Sequence, residues 1–446
     1  MLSIFTVISI SIIESTISFL SIYIFLVLII VSSFFIFKVS KLKRILFVIT
    51  FSISIIFCTV TFIEYKYHLE DIYMGSDDRT YDEVSKLISK NYKYHYFDAL
   101  KYFWSIGRTD PSYWYTSFLV QIYTILNKFS LEMHTLVPRF INSFCLGLIS
   151  IIMYSMSKKF ELNKLNGICV ALLSSLWSTI IWHSSTVRRD TFILLGLVLL
   201  VNGLVGLIQK KYHYKNILFI MLGTGLVLTL RPTNFFIICF TYLGFQFYII
   251  ISRYFTKKIS ILILTLITIF PIIILFQVFS NQYTLLLKDL YLYSQKLTNE
   301  ENQGFSFFIF SQPLILQIPL KLIYANIAPL PIPTLSIITQ NIRWVGTLFW
   351  LLNLPFLINL ILKQRNKKNS LEFLLLVFIV LFLSINLSTF TETHQMLYYP
   401  FGIILIFIER NRLRSMLDIY LNQYRLFGVF SCLIGVFLYI SLKVLI

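Results

Sequence analysis

Carboxylates are scarce in this chain, and they gather in one place. Residues 64–110 hold Glu64, Glu70, Asp71, Asp77, Asp78, Asp82, Glu83, Asp98 and Asp110, nine of the twenty acidic residues in the whole sequence. The densest run is Gly75-Ser76-Asp77-Asp78-Arg79-Thr80-Tyr81-Asp82-Glu83. A carboxylate beside a substrate hydroxyl can take its proton as a general base. Asp77 and Asp78, in loop-like sequence after Gly75-Ser76, are the catalytic candidates. Asp82 and Glu83 read as the first turn of an amphipathic helix with Val84, Leu87 and Ile88, where the helix dipole favours acids whatever the function. Asp78 suits an N-cap equally well, and Asp82 stays a substrate-binding candidate.

The second set of polar residues is cationic. Arg188 and Arg189 lie in His183-Ser184-Ser185-Thr186-Val187-Arg188-Arg189-Asp190, Arg231 in Arg231-Pro232-Thr233-Asn234, and His394 in Thr391-Glu392-Thr393-His394. Guanidinium forks bind phosphate and pyrophosphate bidentately, so the arginines and His394 are candidate substrate ligands. Plainer readings stand beside this one. Arg188 and Arg189 can touch lipid phosphates, Arg189 can pair with Asp190, Glu392 and His394 can be surface residues, and His183 beside Trp182 can be an interfacial anchor. There is no Walker A loop, dinucleotide-binding glycine pattern, His-Glu-x-x-His or Cys-x-x-Cys. No cofactor and no fixed metal site is therefore expected. Cys58, Cys145, Cys169, Cys239 and Cys432 all fall in apolar stretches without paired spacing, which indicates packing rather than disulfides or metal.

The elements that must position these residues are membrane helices. The chain has 446 residues, 57% hydrophobic and 13% charged, with mean hydropathy +0.78. Apolar runs of about 17–25 residues recur along it. The fold class is an all-α polytopic membrane protein, one integral domain over residues 1–446. The dyad alternation of a membrane β-barrel is absent. A net charge of +18 would suggest nucleic acid in a soluble protein. Here the lysines and arginines sit in short clusters between apolar spans, as cytoplasmic loops do, so no nucleic-acid partner is expected.

Spans are predicted at 16–37, 45–63, 138–156, 165–183, 190–208, 216–230, 233–251, 259–279, 344–362, 371–388, 396–409 and 426–445, about twelve in all. The basic clusters after them then fall on one face and the acidic run on the other. Charge parity makes 113–129 a juxtamembrane or re-entrant helix. Residues 1–13 form either an interfacial helix or part of a longer first span, and no cleaved leader is expected. Two large outer segments result. One is 64–137, whose loop covers 64–112, and the other is 280–343. In the latter Pro313, Pro319, Pro329, Pro331 and Pro333 argue against a simple membrane helix. It reads as a membrane-dipping stretch that binds a lipid chain, or as a covering loop.

This arrangement resembles the GT-C superfamily of polyprenol-dependent membrane glycosyltransferases and the related Wzy-type polymerases of bacterial O-antigen and capsule. The resemblance rests on five short stretches. They are Gly75-Ser76-Asp77-Asp78-Arg79-Thr80-Tyr81, Val137-Pro138-Arg139-Phe140-Ile141-Asn142, Thr186-Val187-Arg188-Arg189-Asp190-Thr191, Leu230-Arg231-Pro232-Thr233 and Pro329-Leu330-Pro331-Ile332-Pro333. Together they span residues 75 to about 335. The acidic loop follows the second helix here rather than the first, which suggests an extra N-terminal helix.

The resemblance implies a sugar or oligosaccharide donor on undecaprenyl phosphate or pyrophosphate, used at the outer face of the bacterial cytoplasmic membrane. It implies Asp77 or Asp78 as general base, and Arg188, Arg189 and Arg231 stabilising the departing phosphate. Membrane lipids, a chain-length regulator and a flippase of the same pathway are the implied partners. The competing readings are a side-branch transferase of the same superfamily, a flippase or transporter of lipid-linked oligosaccharide, and a non-catalytic assembly partner. A transporter would place ionisable residues at mid-membrane and often shows internal symmetry.

Overall fold

Long apolar stretches close their backbone hydrogen bonds internally, and here they do so as helices. The computed structural model describes residues 2–15, 17–36, 39–68, 71–73, 75–92, 112–210, 213–254, 312–327, 338–362, 369–388, 392–414 and 422–430, with a few isolated positions. Among them there is no strand. The chain opens with α1 (Leu2–Ile13), α2 (Ser18–Ile36), α3 (Lys41–His68), α4 (Ser76–Asn91) and α5 (Ser112–Lys128). Then follow α6 (Leu136–Lys159), α7 (Lys164–Leu176), α8 (Ser178–Ser184), α9 (Asp190–Ile208), α10 (Tyr214–Leu230) and α11 (Pro232–Ile251). The last described helices are α12 (Leu314–Ile327), α13 (Ile338–Leu362), α14 (Asn369–Ser388), α15 (Glu392–Gln395) and α16 (Tyr399–Arg414).

Six described helices are long and apolar enough to cross a membrane, and seven if α7 and α8 form one bent span. The chain is thus a helical multi-pass membrane protein. Of the twelve expected spans, 259–279 lies outside the described residues, as does most of 426–445 and of the 280–343 segment. The first helix resolves the ambiguity at 1–13. Ser15 adopts a left-handed φ of 52° and ends it, so α1 is a separate 12-residue helix, too short to cross alone.

Two expectations change. The span at 165–183 is bent by 44° at Trp177. Trp177 has an extended backbone there (φ −53°, ψ 137°), and its indole packs against Phe349, Trp350 and Tyr399. The prolines at 305–340 do not exclude helix either, for Pro319 lies inside α12. That helix has 14 residues, about two-thirds of a span. Pro329, Pro331 and Pro333 lie outside the described residues.

The core is centred on α3, α6 and α9. Small residues let α3 and α6 approach: Gly147 lies on the Phe47 ring, and Ser54 donates to Ser143 at 2.9 Å. The closest pair is α9 with α10. A Cβ on Gly223 would stand 2.6 Å from the Leu200 amide nitrogen and 2.7 Å from the Gly196 carbonyl oxygen, and one on Gly203 would stand 2.8 Å from the Asn216 carbonyl oxygen. Glycine is what lets these two backbones touch, as small residues do between membrane helices. That contact brings Asp190, which starts α9, beside Arg231, which follows α10. The four cysteines among the described residues are free, and Cys432 is outside them.

Hydrogen bonds tie opposite ends of the bundle separately. At one end Glu64, near the end of α3, accepts from the Thr339 amide at 3.1 Å and from its hydroxyl, at the start of α13. At the other end Lys159 Nζ donates to Asn202 O at 2.6 Å and to Asn216 Oδ1 at 3.2 Å. Gln209 Nε2 bonds Lys159 O at 3.0 Å and Ser370 Oγ at 3.3 Å there, and Asn166 Nδ2 bonds Asn411 Oδ1 at 3.3 Å. These two ends are called the carboxylate end and the lysine end below.

Candidate functional site

Helix α4 carries the acidic run, and it begins at Ser76, a turn earlier than the sequence suggests. Asp77 and Asp78 therefore occupy its first turn, and Asp82 and Glu83 its second. The burial pattern departs from the amphipathic reading: Val84 and Ile88 are half-buried, and the most buried face is polar. Leu87 is 67% exposed, whereas Asp78, Asp82, Ser85 and Ser89 form a buried stripe at helical spacing.

Each residue of the buried stripe has a partner, as burial of polar groups requires. Asp82 is fully buried and accepts four hydrogen bonds. They come from Tyr73 Oη at 2.8 Å, Thr135 Oγ1 at 2.8 Å, Lys86 Nζ at 2.6 Å and Tyr123 Oη. Burial and then the Asp82 charge push the Tyr73 and Tyr123 hydroxyls well above the ordinary phenol range, so both remain donors. Lys86 also donates to Thr135 Oγ1 at 2.8 Å. Ser85 donates to Tyr81 O and Thr116 O, and Ser89 to Lys86 O. Asp82 is thus a hub that joins α4, α5 and the start of α6, and not a helix-start acid facing water.

Asp78 is fully buried as well. Its Oδ1 accepts from the Val187 amide, and its Oδ2 lies 3.8 Å from Arg139 Nη2. Arg139 is itself wholly buried, donates from Nη2 to Ile72 O and stacks on Phe62. Asn142, one turn on, donates to Thr186 O at 2.8 Å and Arg188 O at 3.4 Å. Asp78, Arg139 and Asn142 together clamp the 184–189 loop onto the bundle.

That clamp delivers Arg188 and Arg189 to the carboxylate end. Arg188 Nη2 lies over Gly75, 2.9 Å from where a Cβ would stand. Arg231 Nη1 lies 3.7 Å from Asp190 Oδ1. His394, on the short helix α15, is half-buried and sits within electrostatic reach of Arg231, Arg189, Arg188 and Asp77. Burial holds its pKa down to about 3, the three guanidiniums push the same way, and only Asp77 opposes them. Its imidazole is therefore neutral at pH 7, a hydrogen-bond acceptor among cations. Asp77 is exposed and lies within electrostatic reach of His394.

The structure thus brings Asp77, Arg188, Arg189, Arg231 and His394 together. It takes Asp78 and Asp82 into the supports behind them. Three residues were not singled out from sequence as site candidates. Arg343, at the start of α13, stacks on Trp182 and acts electrostatically on His183. His183 is buried, with both ring nitrogens lacking a hydrogen-bond partner among the described residues. Arg139 is the third. A lone cation or imidazole inside an apolar span is the available signal for these, since such groups are costly there. Among the described residues no cluster of three or more His, Cys, Asp or Glu is placed to hold a metal ion.

The arrangement offers one exposed carboxylate, several guanidiniums and a neutral imidazole at the edge of an apolar bundle. It can accept a proton on one side and hold a phosphate on the other. No protein-family model, curated protein or solved structure matches the chain.

Proposed function

We propose that this chain is a membrane glycosyltransferase, either a surface-polysaccharide polymerase of the Wzy type or a close GT-C relative. It would transfer glycosyl units from an undecaprenyl phosphate- or pyrophosphate-linked donor to an acceptor hydroxyl. The observation that carries this reading is the grouping of exposed Asp77 with Arg188, Arg189, Arg231 and neutral His394 at one end of the bundle.

In this reading Asp77 takes the proton from the acceptor hydroxyl, and the acceptor oxygen forms the new bond to the anomeric carbon. The bond from that carbon to the phosphate oxygen breaks, and the electron pair leaves with the phosphate. Arg188, Arg189 and Arg231 stabilise the charge that grows there. Asp78 and Asp82 hold the framework. The carboxylate end faces outward and the lysine end inward, following the preference of cytoplasmic loops for Lys and Arg. The span count rises to about twelve when the expected spans outside the described residues and the shorter helices are included.

The test is transfer by membranes carrying the full chain, supplied with an undecaprenyl diphosphate-linked oligosaccharide. Asp77→Asn should lower the rate by about 10²–10⁴-fold, the usual contribution of a general base, and leave the melting temperature unchanged. Full activity in Asp77→Asn would overturn the assignment of the base. Export of the unpolymerised lipid-linked unit by the intact chain would favour the flippase reading instead.

A further inference from the structure

The lysine end holds a second constellation that the proposed reaction does not use. Where α3 and α7 begin and α6 ends, a cleft of about 510 Å³ is lined by Leu42, Tyr154, Lys158, Glu161, Lys164 and their neighbours. We propose that this cleft binds the head of an anionic phospholipid, with its phosphate on the lysines and the start of its acyl chains on an apolar floor.

Three observations converge. The first is charge. Lys158 and Lys164 line the cleft, and Lys43 lies within electrostatic reach of both Lys158 and Lys215. None of these four lysines forms an ion pair among the described residues. Glu161 is the one carboxylate among the lining residues. Gathering ammoniums from α3, α6, α7 and α10 costs energy unless an anion sits among them.

The second is pre-organisation. Lys158 Nζ is held 5.1 Å from the Tyr154 ring centroid. The turn after it is closed by bonds from Glu161 N to Lys158 O (3.1 Å) and Leu162 N to Ser157 O (3.2 Å), with Glu161 at a left-handed φ of 59°. The cleft therefore has a defined wall rather than a frayed helix end.

The third is the floor. Leu46, Tyr154 and Ala171 form a buried apolar cluster of their own, edged by Leu42, Ile168 and Leu172. Leu42 and Tyr154 belong to both the cluster and the cleft. A site that is cationic at its mouth, apolar beneath and set at the ends of spanning helices fits an amphiphile better than a free ion. Basic pockets between membrane helices bind anionic headgroups by these means.

The test uses the detergent-solubilised full chain and thermophoretic binding of dioctanoyl phosphatidylglycerol, with dioctanoyl phosphatidylcholine and inorganic phosphate as comparisons. The expected result is saturable binding of phosphatidylglycerol and at least tenfold weaker binding of phosphatidylcholine. Each lysine neutralised should cost about fivefold, so Lys158→Gln with Lys164→Gln should cost at least tenfold together, and the two arginine replacements should retain binding. Glu161→Gln removes the opposing carboxylate and should tighten binding, which gives a readout that does not depend on the double variant folding. Equal affinity for phosphatidylcholine, no change in either variant, or equal displacement by inorganic phosphate would each overturn the proposal.

Discussion

The two ends of the bundle handle charge in opposite ways. At the carboxylate end the charges behind exposed Asp77 are buried. Asp78, Asp82 and Arg139 lie out of contact with solvent, the two carboxylates fitted to named partners and Arg139 bonded through Nη2. At the lysine end Lys158, Glu161 and Lys164 are exposed around an open cleft, and the ties between helices are made by Lys159 and by neutral amides such as Asn166 with Asn411. Buried charge fixes geometry at a large cost if one partner is lost. Exposed charge contributes little to stability and stays available to ligands. The carboxylate end sets an exposed group on a rigid, buried support, and the lysine end leaves its charges in the open.

The largest effect expected from this contrast is on stability. Asp82→Ala leaves Lys86, two phenols and a threonine hydroxyl without their acceptor, and it should destabilise the solubilised protein by about 3–5 kcal/mol, the range for breaking a buried ion pair. Lys164→Ala at the opposite end should change stability by less than about 0.5 kcal/mol. Chemical or thermal unfolding of the two variants side by side decides it, and equal losses would break the contrast.

A smaller effect is expected midway between the ends. Gly223→Ala places a methyl group against the α9 backbone and should cost about 1–3 kcal/mol as overpacking. Because α9 and α10 carry Asp190 and Arg231 at their ends, the same change should widen that pair and weaken donor binding. A variant that melts lower while binding donor normally would show that the glycine contact does not position the site.

A separate effect is on pH dependence. Burial lowers His134 to about 4 and His394 to about 3, both at the carboxylate end. Between those values and the ordinary 6.5, the unfolded chain takes up protons that the folded chain refuses. Stability is therefore full above about pH 6.5 and declines as the pH falls toward 4 and below. Melting curves from pH 7.5 to 4.5 should show this decline, and His134→Gln with His394→Gln should flatten it. An unchanged slope would separate acid sensitivity from these histidines.

Much of this plan was legible in the sequence. The expected span at 190–208 coincides with α9, and 371–388 differs from α14 only at its start. Arg188, Arg189, Arg231 and His394 share a locality, as their positions at span ends suggested. What could not be read is which side of a helix is inside. Hydrophobic periodicity tells burial from exposure only when the surroundings are water. In a membrane bundle Leu87 can face outward and Asp82 inward, and the pattern alone cannot tell this from its reverse. The break at Trp177 and the contact of Gly223 with Leu200 depend on partners far along the chain, which local spacing does not encode.

The buried polar stripe of α4 has a consequence for how the protein is made. Several of its partners are residues that follow it in the chain by many positions. Tyr123 and Thr135 come 41 and 53 positions after Asp82, and Val187 comes 109 positions after Asp78. Until those are made Asp78 lacks Arg139 and the Val187 amide, and Asp82 has only Tyr73 and Lys86, so hydrocarbon would reject both carboxylates. It must wait in water while α5, α6 and the bent α7–α8 pair are put in place behind it. Only then can it dock, so the element that presents Asp77 is joined to the bundle after helices that follow it in the chain.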